Sequence, residues 1–243
     1  MSPSRSRTRS PSRARTAAGL DHRPAAEARP TSRPISPAEA AAALAGRDPV
    51  LAALLDAHGP PPRRRRVAAS ARFAALVEMV VYQQLAGKAA ASIHGRLVDA
   101  LRGEVTPERV LATPPAVLTA AGLSGAKAAT VRALAEAVVG GDLRLERIGR
   151  LPDAEVVEHL VRVRGIGPWT ADMFLLFVLG RLDVWPVGDY GVRVGFARAW
   201  GLPGIPSPKE LAALGDPFRP YRSLVAWYCW RVLDQAVPAG TTG

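Results

Sequence analysis

A single cysteine, Cys229, in 243 residues leaves no partner for an intramolecular disulfide, and no four-cysteine zinc or iron–sulfur site can be built within the chain. Such usage fits a reducing, cytoplasmic location. Four histidines (His22, His58, His94, His159) are scattered without an HExxH-like pairing, so a zinc hydrolase has little support. Although 48% of the residues are hydrophobic, no uninterrupted apolar run approaches the ~20 residues of a membrane span. Alternating β-branched stretches are nearly absent, which argues against a sheet-built fold. Acidic residues are also in short supply: 21 Asp+Glu face 32 Lys+Arg, for a net charge of +11. Such a balance points to a polyanionic partner, most often nucleic acid.

The excess charge is unevenly placed. Residues 1–66 carry 13 Arg and 5 acids, a net +8, whereas residues 67–243 carry 19 Lys+Arg and 16 acids, a net +3. Residues 1–35 are rich in Arg, Ser and Pro and lack aromatics, so they cannot bury enough apolar surface to order themselves and read as a disordered tail. The tail has no secretory apolar core; its composition also suits a mitochondrial-type presequence. A folded domain is expected over 36–243.

Helices dominate that domain. Ser36-Pro37-Ala38-Glu39 has the cap, the proline and the glutamate of a helix start, and Asp48-Pro49 opens a second helix that Gly59 stops. Arg63 to Arg66 read as a solvated linker or a phosphate contact. Phe73, Leu76, Val77, Val80 and Val81 share one helical face, and Val131, Leu134, Ala135 and Val138 another. The fold class is therefore mostly α.

The stretch 153–180 carries the most information. Asp153 can cap a helix with Val156, Val157, Leu160 and Val161 on one face; Gly165-Ile166-Gly167 makes a tight turn; Pro168 opens a second helix that Gly180 can end. Two helices joined in this way leave backbone N–H groups pointing outward, which suits a phosphate oxygen. Ile166 would plug the turn into the core. An ordinary helix–turn–helix corner has the same spacing.

Gly165-Ile166-Gly167-Pro168-Trp169-Thr170-Ala171, followed by Val187-Gly188-Asp189-Tyr190, resembles the helix-hairpin-helix DNA glycosylases, in particular the alkylated-base branch, DNA-3-methyladenine glycosylase II. Tyr82-Gln83-Gln84-Leu85-Ala86-Gly87-Lys88, Gly122-Leu123-Ser124 with Ala126-Lys127-Ala128, and Phe218-Arg219-Pro220-Tyr221-Arg222-Ser223 leading to Trp227, Tyr228 and Trp230 are similar to the same branch. The likeness runs from about residue 45 to 235. It implies two helical subdomains without the N-terminal β domain of the best-known bacterial relative. It also implies a monomer acting on double-stranded DNA with damaged bases, associated with the nucleoid through that DNA. No cofactor is expected beyond a monovalent cation that the hairpin carbonyls could hold, as in some relatives.

By that resemblance, Asp189 is catalytic. A carboxylate beside the sugar can stabilise the cationic character that develops as the base leaves, or act as general base towards water. Its bland alternative is a helix N-cap. Trp230 is the leading stacking residue, with Trp169, Tyr190 and Met173 as further pocket residues; core packing is the alternative for the aromatics. Met173 stands where the bacterial relative has an aromatic. Gln83 and Gln84 fall where the family inserts a side chain into the gap left by the flipped nucleotide, Gln84 being the better wedge, although both could be a surface polar pair. Gly165, Ile166 and Gly167 form the DNA-binding hairpin. Trp169 occupies the position of the Schiff-base lysine of bifunctional relatives, so strand cleavage through an imine is not expected. The implied activity is removal of alkylated purines such as 3-methyladenine to leave an abasic site. A non-catalytic DNA-binding module, or a glycosylase for deaminated or oxidised bases, remains an alternative.

Overall fold

The computed structural model describes residues 35–63, 66–85 and 87–234; the Arg-rich stretch 1–34 lies outside the described residues. Thirteen α-helices occur among the described residues, and no strand does. They are α1 (Pro37–Ala45), α2 (Pro49–His58), α3 (Arg72–Tyr82), α4 (Gly87–Ala100), α5 (Pro107–Ala112), α6 (Pro115–Ala120) and α7 (Gly125–Val139). After these come α8 (Leu145–Ile148), α9 (Asp153–Val161), α10 (Pro168–Met173), α11 (Tyr190–Ala199), α12 (Pro208–Leu214) and α13 (Arg222–Asp234).

Local chemistry sets many of these ends. At α1 the Ser36 hydroxyl accepts from the Glu39 amide at 3.2 Å while the Ser36 amide donates to the Glu39 carboxylate at 2.7 Å, a reciprocal cap. Asp48 caps α2 through the Leu51 amide at 3.0 Å, and Gly59 leaves that helix at φ 69°, a conformation that glycine adopts without penalty. At α9 the cap falls one residue earlier than expected. Pro152 takes the boundary position without a side-chain bond, and Asp153 is the first helical residue; its carboxylate instead pairs with Arg181 at 3.1 Å. Val156 and Leu160 are buried as expected, whereas Val161 is exposed.

The apolar faces assemble two cores. One gathers α3 to α10 around Phe73, Leu76, Val80, Val131, Leu134 and Ile166. The other joins α1 and α2 to α11–α13 around Leu44, Leu51, Val192, Phe196, Leu211 and Tyr228. Trp230 packs against both. In the second core α11 and α13 approach so closely that a Cβ on Gly195 would lie 2.1 Å from the Cys229 carbonyl oxygen. Cys229 is fully buried there, and burial pushes its thiol up, with the Asp189 charge adding to the effect.

Candidate active site

A cavity of about 490 Å³ opens where the two cores meet, lined by residues that five segments deliver, the first of them Val67 before α3. Helix α10 starts at Pro168 and continues into a π-helical turn, Phe174–Val178, with Gly180 ending the segment at φ 63°. Trp169, Met173 and Phe177, four apart, present one wall. Ala75, Glu78, Met79 and Tyr82 of α3 present another, spaced as one helical face. Trp230 comes from α13 and Asp189 from the loop before α11. Phe177 and Trp230 stack at 5.8 Å between ring centroids.

That loop is clamped. Asp183 accepts from Arg222 at 2.8 and 3.0 Å and from Arg219 at 3.0 Å. The Ser223 hydroxyl donates to the Arg181 carbonyl at 2.8 Å and accepts from the Val184 amide at 2.9 Å. The segment from Phe218 to Ser223 thus fixes the approach to Asp189. Asp189 itself accepts three hydrogen bonds: Oδ1 from the Val192 amide at 2.7 Å and the Trp230 indole at 3.0 Å, Oδ2 from the Trp169 indole at 2.7 Å. It is therefore both the N-cap of α11 and a cavity residue. A carboxylate offers about four acceptor sites, so one lone pair on Oδ2 is left for an incoming group. Asp172, on α10, has no hydrogen-bond donor among the described residues; burial, helped by the Asp189 charge, pushes its carboxyl up to about 6.

The hairpin turns as its glycines demand. Gly165 sits at φ +87°, and a Cβ there would stand 1.9 Å from the Thr130 hydroxyl. Ile166 is buried in the first core, worth about 2 kcal/mol of apolar burial. The N–H groups of Gly165 and Gly167 find no backbone acceptor among the described residues. The Gly165 carbonyl accepts from the Gln83 amide at 3.3 Å, and Val163's from the Ile166 N–H at 3.0 Å. Each carbonyl keeps a second lone pair, the donor that the monovalent cation implied by the resemblance would require.

Trp169, Met173, Asp189 and Trp230 are thus brought together. Tyr190 is not: it is 66% exposed and lies outside the cavity lining, because as the first residue of α11 it projects away from the capping side chain beside it. Gln83 departs from the wedge reading too. Its amide also donates to the Thr170 hydroxyl at 2.9 Å, tying the end of α3 to the hairpin. Gln84 is exposed at φ 56°, beside Leu85, which is 39% exposed. Lys127 of the Ala126-Lys127-Ala128 motif donates to the carbonyls of Val81 and Gln83 at 2.7 Å each and so closes α3; burial lowers its pKa. Leu85, Glu78 and Phe177 were also missed. The spacing of Ala75, Glu78, Met79 and Tyr82 was the signal available for Glu78.

A family model described as HhH-GPD superfamily base excision DNA repair protein matches residues 77–220. The chain is 34% identical over 159 residues to DNA-3-methyladenine glycosylase 1 of Schizosaccharomyces pombe, an alignment covering 64% of this chain and 70% of that protein. A putative DNA-3-methyladenine glycosylase of Bacillus subtilis is 32% identical over 105 residues, 43% of this chain and only 35% of that protein. Among solved structures, the S. pombe 3-methyladenine DNA glycosylase in complex with abasic DNA superposes with a TM-score of 0.74 at 30% identity, covering 84% of this chain and 100% of that one. A DNA-3-methyladenine glycosidase from Bacillus halodurans superposes at 0.68 and 32% identity, covering 77% and 86%.

Proposed function

Because the chain belongs to the HhH-GPD superfamily of base excision DNA repair proteins, we propose that it is a monofunctional DNA glycosylase. On this reading it flips alkylated purines such as 3-methyladenine out of duplex DNA and hydrolyses their N-glycosidic bond, leaving an abasic site. Residues 36–243 are the catalytic domain, preceded by a tail over 1–35, and the enzyme works as a monomer. The observation that carries this reading is a carboxylate, Asp189, held by three N–H donors in the wall of an aromatic cavity.

Chemistry on a base inside a duplex requires that the nucleotide be extruded. The outward Gly165 and Gly167 amides suit a backbone phosphate, and a monovalent cation at the turn carbonyls would add positive charge there. Gln84 and Leu85, exposed at the turn after α3, supply a polar and an apolar side chain for the vacated gap; apolar wedges are the type that unstack base steps. The flipped base enters beside Trp230 and Trp169, whose electron-rich faces attract a cationic purine. As the glycosidic bond lengthens, positive charge grows on the sugar, and the remaining Oδ2 lone pair of Asp189 faces that charge or orients the attacking water. The carboxylate cannot swing away, since both oxygens are tied to the protein. No lysine lines the cavity among the described residues, so an imine with the sugar, and strand cleavage through it, has no amine to start from.

Duplexes treated with a methylating agent test this. The protein should release methylated purines with the phosphodiester intact until alkali is added. Asp189→Asn should lower release at least about 100-fold while binding to an abasic-site analogue persists. Full activity in that variant would remove Asp189 from the mechanism, and immediate nicking would contradict the monofunctional reading.

A further inference from the structure

On the cavity face of α3, Ala75, Glu78, Met79 and Tyr82 recur at three-and-four spacing, a pattern that in a helix normally carries apolar residues throughout. Glu78 breaks it. It lines a cavity whose other described lining residues, Asp189 apart, are apolar or aromatic, and it is solvent-exposed. No described residue gives it an ion pair or a hydrogen bond. Among the described residues, Glu78 and Asp189 are the only charged ones in the lining, and no Lys or Arg stands beside them there. An exposed carboxylate in the cavity lining with no partner among the described residues repels phosphate, even in a protein with net charge +11, so it weakens DNA binding unless something positive enters beside it.

We propose that Glu78 is a specificity-determining residue: its carboxylate selects bases that carry positive charge in the intact nucleotide, as N3-methyladenine and N7-methylguanine do, over neutral ones. This inference rests on the glycosylase reading above. The selection operates on entry and is distinct from the task of Asp189. Asp189 meets the charge that develops on the sugar, whereas Glu78 meets the charge the base already has. Base and carboxylate face each other where duplex and protein exclude water, and there the attraction is screened far less than on an open surface. It fades as the base becomes neutral on leaving the sugar, so Glu78 does not retain the product.

The test compares wild type, Glu78→Gln and Glu78→Asp on duplexes bearing a single N7-methylguanine, with binding to a duplex containing a tetrahydrofuran abasic analogue as the control. Glu78→Gln keeps size and polarity and removes only the charge. It should lower kcat/KM for the methylated duplex roughly fivefold or more, while its Kd for the abasic analogue stays equal or tightens. Glu78→Asp, which keeps the charge, should recover most of the loss. If Glu78→Gln matches wild type within twofold, or if it weakens binding to the abasic analogue in parallel with kcat/KM, the selector role is overturned and the glycosylase reading stands. If wild type itself releases no methylated base, the glycosylase reading fails and takes this inference with it.

Discussion

Two carboxylates on neighbouring segments, Asp172 and Asp189, live under opposite conditions. Asp189 accepts from three donors; Asp172 has none among the described residues and is lifted to about 6 from 3.8. A carboxyl whose folded pKa is raised holds its proton longer in the native state than in the unfolded one. It therefore costs nothing below about pH 4, destabilises progressively up to about 6, and exerts its full penalty above that. Asp172→Asn should accordingly raise Tm at pH 7.5 by roughly 2–6 °C, from about 1–2 kcal/mol after discounting for solvent screening. The gain should vanish near pH 4; an equal gain at both values would mean that packing, not charge, is responsible. Residue-scale reading of the sequence identified Asp189 but left open whether it was a cap or a catalyst. The structure shows the cap and sets the same carboxylate in the cavity wall; its catalytic role is the proposal made above. Tyr190 lies outside the cavity lining, since adjacency to Asp189 in sequence does not put two side chains on one side of a helix start.

At the scale of elements, the caps at Ser36 and Asp48, the buried face of α3 and the glycine turn at 165–167 were legible because each depends on residues within a few positions. What was not legible spans long distances. The Gln83 amide reaches the hairpin at Gly165 and Thr170, and Lys127 reaches back to the last carbonyls of α3; no local pattern encodes such bonds. The π-helical turn at Phe174–Val178 was equally hidden, since that run is apolar all round and has no periodicity to read. Lys127 satisfies two α3 carbonyls at once, so Lys127→Met should leave them without donors, at a cost of about 1–3 kcal/mol and a fall in Tm of roughly 3–8 °C. Because α3 ends at the Gln84 turn, the same variant should lose affinity for duplexes containing an abasic analogue more than its loss of stability accounts for. Equal affinity in a folded Lys127→Met protein would uncouple the clamp from DNA binding.

Across the whole molecule, charge and architecture divide the work. The fold class and its likeness to the helix-hairpin-helix glycosylases were readable from ordered motifs spread over most of the chain. Two of those motifs proved to be scaffolding: the Phe218–Ser223 segment clamps the loop before Asp189, and Ser124 caps α7 through the Lys127 amide. Net charge of +8 on residues 1–66 against +3 on the remainder sets most of the excess positive charge before the site in the sequence. Deleting residues 1–35 should flatten the salt dependence of DNA binding and leave base release at low salt unchanged. A truncated protein that is folded yet inactive at low salt would contradict that division.

The three donors on Asp189 come from different places: its own helix in the second core, Trp169 in the first, and Trp230 packed against both. A chain in which only one half has formed, whether newly synthesised or partly melted, has neither an oriented carboxylate nor two aromatic walls. Glycosylase chemistry misapplied to sound nucleotides would itself create lesions. On the proposed mechanism, spreading the carboxylate's support over both halves would act as a safeguard against this, since a conformer without both aromatic walls would also lack the oriented carboxylate.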